Sequence, residues 1–216
     1  MIKGIPPSNP REYNLALNAN IQLNRRSPQA QPLMTEDFIT QTYLTAALAE
    51  PLRQQIIALC TDAFEGREDF SRLFEYIPAG VHVLGYQAGR PVSHGVFAMR
   101  WMQINHGPLL RCAYVDAVAT LPDQQRKGYG AAVMRRLAHA MIALPYEIGG
   151  LSTSTPEFYA SVGWEQWRGP LAGRAGGSYI ATVEDDPVMI LRLSATPPLE
   201  INSDLLSIEQ QGGRIW

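Results

Sequence analysis

Two stretches of the chain repeat their apolar residues at helical spacing. The first begins after Pro51 and ends near the acidic turn EGREDF, and its apolar positions are Leu52, Ile56, Leu59, Cys60 and Ala63. The second is GYGAAVMRRLAHAMIAL, residues 128–144, and its apolar face consists of Met134, Leu137, Ala138, Met141 and Ile142. Both patterns predict amphipathic helices that pack on a core.

Between these two helices the pattern changes to β-rich runs. The turns QAGR and NHGP separate three such runs, VHVLGY (81–86), PVSHGVFAMRWMQI (91–104) and LLRCAYVDAVATL (109–121). Short turns between runs rich in Val, Tyr and Phe are typical of consecutive antiparallel strands. We therefore expect three neighbouring strands in one sheet.

The chain after the second helix predicts a mixture of strands and one short helix. YEIGGLST is a predicted strand, TPEFYASVG a short helix with Pro156 in its first turn, and SYIATV and PVMILRL are two further strands. The predicted order is therefore helix, three strands, helix, strand, helix, strands. This order favours an α+β fold with a mixed sheet over a doubly wound one.

The first 33 residues differ in composition from the rest. Residues 1–33 are rich in Asn, Pro and Arg and show neither helical nor strand periodicity. We expect an N-terminal extension over 1–33 and one folded domain over 34–216.

Composition and charge narrow the possible partners. Hydrophobic residues make up 46% of the chain, and 18 basic against 20 acidic residues leave a formal net charge of −2. Such a balance offers no basic field for nucleic acid or for an anionic membrane. No apolar run approaches the roughly 20 residues of a membrane span. A small molecule or a protein is the expected partner.

Cysteines and histidines give no sign of a disulfide framework or a metal site. Cys60 and Cys112 are too few for a disulfide scaffold, which is consistent with a reducing cytoplasm. The first residues show no basic flank leading into an apolar run, so we expect a cytoplasmic protein that is not exported. The four histidines lack the spacing of metal ligands, so we assign no metal and no catalytic role to His82, His94, His106 and His139.

Two glycines mark the start of the second helix. Gly128 and Gly130 flank Tyr129 where the third strand leads into that helix, and Arg126 and Lys127 precede them. Backbone N–H groups, the helix dipole and two cations could hold a phosphate there. The spacing fits neither a nucleotide P-loop nor a dinucleotide fingerprint. Packing and turn chemistry alone would also explain two glycines.

The segment QRKGYGA (125–131) resembles the Gln/Arg-x-x-Gly-x-Gly/Ala loop of the GCN5-related N-acetyltransferases, the GNAT superfamily. The resemblance implies the GNAT fold, a mixed and mostly antiparallel, splayed β-sheet flanked by α-helices. It implies acetyl-CoA as co-substrate, with the pantetheine arm beside Val118, Ala119 and Thr120. It also implies that the pyrophosphate lies on the backbone amides of Gln125, Arg126, Lys127, Gly128, Tyr129, Gly130 and Ala131.

Three later features resemble one subgroup of that superfamily, the aminoglycoside 2'-N-acetyltransferases. These features are LRCAYVDAVA, LSTSTPEFYASVGWEQWRGP and a tryptophan at the last position, and the similarity covers roughly residues 50–216. It implies direct acetyl transfer to the 2'-amino group of an aminoglycoside in a ternary complex, antibiotic resistance and a homodimer. Acetylation of protein N-termini, lysines or small metabolic amines, and coenzyme binding without turnover, stay open as alternatives.

Acetyl transfer to an ammonium group requires a base, an oxyanion donor and an acid for the departing thiolate. The backbone amide of Val118 is the candidate oxyanion donor. Asp116 is either a base acting through water or an anchor for the substrate ammonium, and its alternative is a solvent-facing strand residue. The resemblance implies that Tyr159 is the proton donor to the thiolate, and the aromatic run EFYASVGW could also serve packing.

Candidate substrate contacts come from four parts of the chain. Ser152 ends a strand and could bond substrate, or could instead contribute to turn chemistry. Asp69 and Asp185 stand in acidic loops that are either solvated or directed at ammonium groups. In the similar enzymes the final tryptophan, Trp216 here, helps to form the drug pocket. Arg214 would repel a polycation but suits a carboxylate, which predicts a substrate such as kasugamycin; pairing with Glu209 or solvent exposure would also explain it.

Overall fold

One ten-stranded sheet organises the part of the chain that the computed structural model describes, residues 38–182, 186–211 and 215–216. In chain order the elements are β1 (Phe38–Leu44), α1 (Glu50–Ala63), α2 (Leu73–Tyr76), β2 (Gly80–Gln87), β3 (Arg90–Ile104), β4 (Leu109–Thr120), α3 (Tyr129–Ala143), β5 (Ile148–Ser152), α4 (Pro156–Ala160), β6 (Glu165–Gln166), β7 (Leu171–Ala175), β8 (Ser178–Thr182), β9 (Val188–Arg192) and β10 (Leu206–Glu209). Single turns of 3₁₀-helix follow β1 and β4 at Thr45–Ala47 and Pro122–Gln124.

The strands β1 to β4 pair antiparallel in sequence order, which confirms the three predicted neighbouring strands. β3 is long enough to have two partners on one edge, because its first half pairs with β2 and its last residues pair with β10. β10 in turn lies parallel to β7, and β8 closes that end of the sheet. The C-terminal strands therefore extend the sheet from the far end of β3.

The strands β4 and β5 are parallel but stay together over a short length only. Their register runs from Cys112 opposite Ile148 to Tyr114 opposite Gly150. Beyond these pairs β5 continues beside β9, and among the described residues it makes no further pairs with β4. The later residues of β4 thus diverge from β5 and leave a gap in the middle of the sheet.

Two helices cover opposite faces of the central strands. Alternate residues of a strand point to opposite faces, so Leu84 and Val96 pack under α1 while Val83 and Phe97 pack under α3. The helix α1 buries Ile56, Leu59 and Cys60, as its pattern predicts. These two layers fix the position of β4 from both sides.

The buried face of α3 differs at one position from the predicted face. Val133, Met134, Leu137 and Met141 are buried, whereas Ile142 is 60% exposed. At about 100° per residue, Ile142 lies about 80° round the helix from Met134, which is itself at the edge of the buried stripe. It therefore lies beside the stripe and faces solvent.

The observed architecture confirms the predicted fold class, a mixed, mostly antiparallel sheet flanked by helices. The pattern did not predict the strands β1, β6, β7 and β10 or the short helix α2. The proposed extension over residues 1–33 lies outside the described residues, and the domain boundary at residue 34 stays a prediction.

Candidate active site

The strand β4 contains a bulge at the level where it leaves β5. Val96 of β3 faces Asp116 and His94 faces Ala119, so that Ala117 and Val118 together oppose Gly95. Ala117 has φ of 49°, in the left-handed region that a non-glycine residue rarely adopts. Such a bulge bends the strand and redirects its peptide groups.

A cavity of about 410 Å³ opens between the diverging strands. The loop after α1 contributes Arg67, Glu68 and Phe70 to its wall, β4 contributes residues 115–119, and the end of β5 with the following loop contributes residues 151–155. The bulge, the gap in the sheet and the cavity therefore coincide.

Tyr159 of α4 lies on the wall of this cavity and is buried. Burial raises the pKa of its phenol to about 12; a hydrogen bond with Thr153 opposes this rise, and the negative charge of Asp116 adds to it. The ring also contacts Phe158 and Trp164 edge-on, so the predicted aromatic packing is present as well. A neutral phenol facing a cavity can donate a proton throughout the physiological pH range.

Acidic side chains predominate over basic ones at the cavity. Glu68, Asp116 and Asp186 line it, and Arg67 is the basic side chain among its described lining residues. The carboxylate of Asp116 accepts a hydrogen bond of 2.7 Å from the N–H of Ala117, which ties it to the bulge. Three carboxylates against one guanidinium favour a cationic ligand.

The first turn of α3 leaves its N–H groups available for an anion. Gly128 is the N-cap residue, with φ of 83°. Because glycine has no side chain, it cannot cap these N–H groups, and the first turn contains no acidic residue. A Cβ on Gly130 would lie 3.3 Å from side-chain atoms of both Phe158 and Thr120. This glycine therefore lets α4 and β4 pack closely against the start of α3. Tyr129 is buried, and its ring stacks on Phe38 with 4.1 Å between centroids.

The remaining residues of the predicted phosphate loop are accessible. Gln125, Arg126 and Lys127 are exposed, and Gln125 donates from its amide to the carbonyl of Thr120. The ammonium of Lys127 lies 3.0 Å from the side-chain oxygen of Gln124. The loop thus presents two cations beside the start of α3.

The structure brings together some of the predicted site residues and separates others. Val118, Ala119, Asp116, Ser152 and Tyr159 all line the one cavity. Both Asp185 and Arg214 lie outside the described residues.

Two predicted substrate contacts lie apart from the described cavity wall. The carboxylate of Asp69 accepts a hydrogen bond from the N–H of Ser71, and its neighbour Glu68 lines the cavity instead. Trp216 donates from its indole to Thr182 at 3.0 Å and packs with the cluster beside β10.

Sequence reasoning did not single out Arg67, Thr153 or Asp186, which also line the cavity. Arg67 and Asp186 belong to charged turns whose side-chain directions no pattern reveals. Thr153 lies between the two serines of LSTST, and nothing in the sequence distinguishes it from them.

Across the described residues, no cluster of three or more His, Cys, Asp or Glu side chains is arranged to hold a metal ion. None of the described helices combines the length and the apolar character needed to cross a bilayer.

The family model for the acetyltransferase (GNAT) domain matches residues 47–167, more than half of the chain. Among curated proteins, the chain is similar to an aminoglycoside 2'-N-acetyltransferase of Mycolicibacterium fortuitum. The two are 28% identical over 177 residues, which cover 80% of this chain and 89% of that protein.

Solved structures resemble the fold at low sequence identity. The GNAT family N-acetyltransferase YhbS of Escherichia coli, solved in complex with CoA, aligns with a TM-score of 0.58 at 12% identity, over 86% of this chain and 95% of that one. Eis1 of Mycobacterium abscessus aligns with a TM-score of 0.51 at 15% identity, over 61% of this chain and 32% of Eis1. The chain therefore spans nearly all of YhbS but about a third of Eis1.

Proposed function

The chain belongs to the GNAT acetyltransferase family and is an acyl-CoA-dependent N-acetyltransferase; we propose that it acetylates an amine of an aminoglycoside, the 2'-amino group, and thereby confers resistance. One observation carries the proposal, the acid-rimmed cavity that holds the buried Tyr159 where β4 and β5 diverge. The similarity to a curated aminoglycoside 2'-N-acetyltransferase supports the substrate class.

The start of α3 fits the pyrophosphate of acetyl-CoA. Residues 125–131 would hold it with the N–H groups of the first helical turn, with Arg126 and Lys127 adding positive charge. The left-handed Gly128 and the closely packed Gly130 keep this surface free of side chains. The backbone of Val118, Ala119 and Thr120 leads from that loop into the cavity, which suits the pantetheine arm.

The cavity supplies groups for each proton and charge movement of acyl transfer. The N–H of Val118 would stabilise the oxyanion that develops on the thioester carbonyl. The phenol of Tyr159 would protonate the departing thiolate, since its raised pKa keeps the proton in place at neutral pH. Asp116 would anchor the substrate ammonium or accept its proton through water. Holding both substrates in place supplies a large part of the rate.

The acidic rim would bind the amino sugar. Glu68 and Asp186 add to Asp116 at the cavity, and Ser152 offers a hydroxyl. We include Asp69, Asp185, Arg214 and Trp216 in the proposed substrate site from sequence alone. Arg67 lines the cavity, and Arg214 is proposed to join it. Two guanidinium groups would suit an acidic function on the drug, and for this reason we propose kasugamycin. The homodimer and the cytoplasmic location stay predictions.

The test is release of free CoA thiol from acetyl-CoA with a panel of amines. We expect release with aminoglycosides, a higher kcat/KM for kasugamycin than for gentamicin or kanamycin, and protection of growing bacteria. If peptides give thiol release and none of the aminoglycosides does, the proposed substrate class is overturned. A clear preference for gentamicin or kanamycin would overturn kasugamycin alone.

The role of the rim is tested by removing its charge. Glu68→Gln and Asp186→Asn should each raise KM for the aminoglycoside about fivefold, equivalent to ~1 kcal/mol, and leave KM for acetyl-CoA unchanged. High salt should reduce this difference, because it screens exposed charges. Glu75→Gln is the matched control, since Glu75 is exposed and pairs with Arg72 away from the cavity. Equal effects of all three variants would contradict the proposed role of the rim.

A further inference from the structure

Two histidines that the proposed chemistry does not use lie buried beneath the bulge of β4. His82 of β2 and His94 of β3 are both 0% exposed, and they lie on the sheet face that α1 covers. The Nδ1 of His82 lies 3.0 Å from the Nε2 of His94. The Nδ1 of His94 lies 2.8 Å from the carbonyl oxygen of Ala117, the left-handed residue of the bulge.

The Ala117 carbonyl, the last group in this hydrogen-bonded series, fixes the direction of the hydrogen bonds. A carbonyl oxygen only accepts, so the Nδ1 of His94 carries the proton. A neutral His94 then has a bare Nε2, which accepts from the Nδ1–H of His82. Burial lowers the pKa of His82 to about 2 and that of His94 to about 4, which keeps both rings neutral.

At the other end of the hydrogen-bonded series, the remaining nitrogen of His82 is also paired, with the donors running in the same direction. The bare Nε2 of His82 accepts from the hydroxyl of Thr45 at 3.0 Å. That hydroxyl oxygen accepts in turn from the N–H of Gly80 at 2.8 Å. An unbroken series of donors therefore runs from Gly80 through Thr45, His82 and His94 to Ala117. The Thr45 hydroxyl also lies 3.3 Å from the Gly80 carbonyl, but donation there would leave the Nε2 of His82 without a donor. Such a buried network is rigid because every alternative leaves a polar group unpaired.

The carbonyl of Ala117 and the N–H of Val118 belong to the same peptide unit. In a trans peptide these two groups point in opposite directions, and the described residues contain no cis peptide. Because the Ala117 carbonyl points to the His94 ring on the α1-covered face of the sheet, the Val118 N–H points away from that ring. Val118 itself lies on the wall of the cavity, at the gap between β4 and β5.

We propose that His82 and His94 are positioning residues for acetyl transfer, which hold the Ala117 carbonyl and so fix the direction of the Val118 N–H. The proposal rests on the proposed function, in which this N–H binds the thioester carbonyl. A donor that is free to rotate with its peptide would lose alignment with the oxyanion, and loss of one oxyanion donor costs about 10²- to 10³-fold in kcat. The hydrogen-bonded pair His82 and His94 holds the bulge in the conformation that aligns the Val118 N–H with the oxyanion, and neither histidine contacts a substrate.

The test combines kinetics with the infrared carbonyl band of acetyl-CoA labelled with ¹³C at the acetyl carbonyl. In the wild-type binary complex this band should lie at lower frequency than in free acetyl-CoA. His94→Leu removes the imidazole donor to Ala117 and leaves only the weak thiol donor of Cys60, 4.0 Å from that carbonyl. We expect the band to return towards its free position. We also expect kcat to fall about 10- to 100-fold while Kd for CoA, which lacks the acetyl group, stays unchanged.

Two further variants separate positioning from loss of stability. His94→Asn places an amide N–H near the former Nδ1 and should restore most of the band shift and of kcat. Leu59→Ala opens the same α1-covered core without touching the hydrogen-bond chain, and it should lower Tm with the band unmoved. If His94→Leu does not fold, His82→Leu interrupts the chain one step earlier and should give a smaller loss of the same kind.

The outcomes distinguish the two proposals. Wild-type protein with neither thiol release nor a shifted band would overturn the proposed function. Wild-type protein with both, combined with an unmoved band and unchanged kcat in His94→Leu, would overturn the positioning role alone. An equal loss of kcat in Leu59→Ala would also overturn it, since the effect would then follow stability.

Discussion

Tyr159 shows how one residue can serve both packing and chemistry. Its ring contacts Phe158 edge-on, while the residue lines the cavity and its phenol hydrogen-bonds with the Thr153 side chain. Because burial raises the pKa of the phenol to about 12, the group stays protonated across the working range of pH. A buried neutral donor of this kind suits protonation of a thiolate.

Tyr159→Phe keeps the ring and removes only the proton donor. We expect kcat to fall by about 10²-fold while Kd for CoA changes little, because general acids contribute about that factor or more. Steady-state kinetics together with a CoA binding titration measure both quantities. The wild-type rate should also not decline between pH 7 and 9 through ionisation of this phenol.

Tyr86→Phe provides the matched control for this prediction. Tyr86 is a partly buried phenol that pairs with Tyr43 and lies outside the described cavity wall. Its variant should keep the wild-type kcat. Unchanged turnover in Tyr159→Phe would remove Tyr159 from the mechanism.

Among the elements, β4 connects the sheet, the cavity and the candidate oxyanion donor. Its bulge is held by β3 on one side and opens to the gap before β5 on the other. The left-handed conformation of Ala117 costs about 1 kcal/mol or more for a residue with a Cβ. The strand accepts this strain because the surrounding contacts fix the bulge.

Substitutions at Ala117 test this conformation. Ala117→Gly should change the free energy of unfolding by less than about 1 kcal/mol, since relieved strain and the greater entropy of the unfolded chain nearly cancel. Ala117→Val should destabilise by more than about 2 kcal/mol, because a β-branched residue resists positive φ. Urea unfolding gives both values.

Ala113→Val provides the comparison for overpacking. Ala113 lies on the same strand, is fully buried and has a negative φ. Its variant adds the same two methyl groups without the backbone conflict. A cost at Ala113 equal to that at Ala117 would show that crowding, and not the left-handed conformation, sets the effect.

At the scale of the whole molecule, the buried histidines make folding stability depend on pH. Their folded pKa values, about 2 for His82 and about 4 for His94, lie below the value of about 6.5 in an unfolded chain. As the pH falls through 6.5, the unfolded chain therefore binds protons before the folded one does. The stabilisation is present above pH 6.5 and is lost progressively in acid.

We expect each histidine to lower the free energy of unfolding by about 2 kcal/mol between pH 7 and pH 5. Urea unfolding at pH 7, 6 and 5 measures the sum. The double variant His82→Phe, His94→Leu retains the contribution of the carboxylates and should show a shallower dependence on pH. An equally steep dependence in the double variant would assign the acid sensitivity to other groups.

Much of the fold was predictable because its signals are local. The strands β2, β3 and β4 and the helices α1 and α3 lie within one or two residues of the predicted ranges. Their apolar residues alternate or recur over many positions, so short-range periodicity suffices. β10 escaped prediction because it is four residues long and its partners β3 and β7 are distant in the chain. β7 forms a hairpin with β8, but its sequence LAGRA lacks the β-branched and aromatic residues that indicate a strand.

The candidate site was predictable in its parts more than in its arrangement. The resemblance to GNAT enzymes pointed to Val118, Asp116, Ser152 and Tyr159, which share one cavity, and their roles stay predictions. In the acidic turn after α1, a hydrogen bond to Ser71 occupies the carboxylate of Asp69, and Glu68 lines the cavity. Adjacent residues of a loop carry no periodic signal that tells which side chain faces inward.

By itself the sequence determined the family, the α+β class and the glycine-containing start of α3, because these depend on residue identity and on spacing along the chain. Tertiary structure decided that β4 leaves β5 after three pairs, that a bulge lies at that point, and that His82 and His94 meet Ala117 beneath it. These contacts join residues 12 and 23 positions apart on neighbouring strands. No local pattern encodes such a contact, because its geometry exists only once the strands have paired.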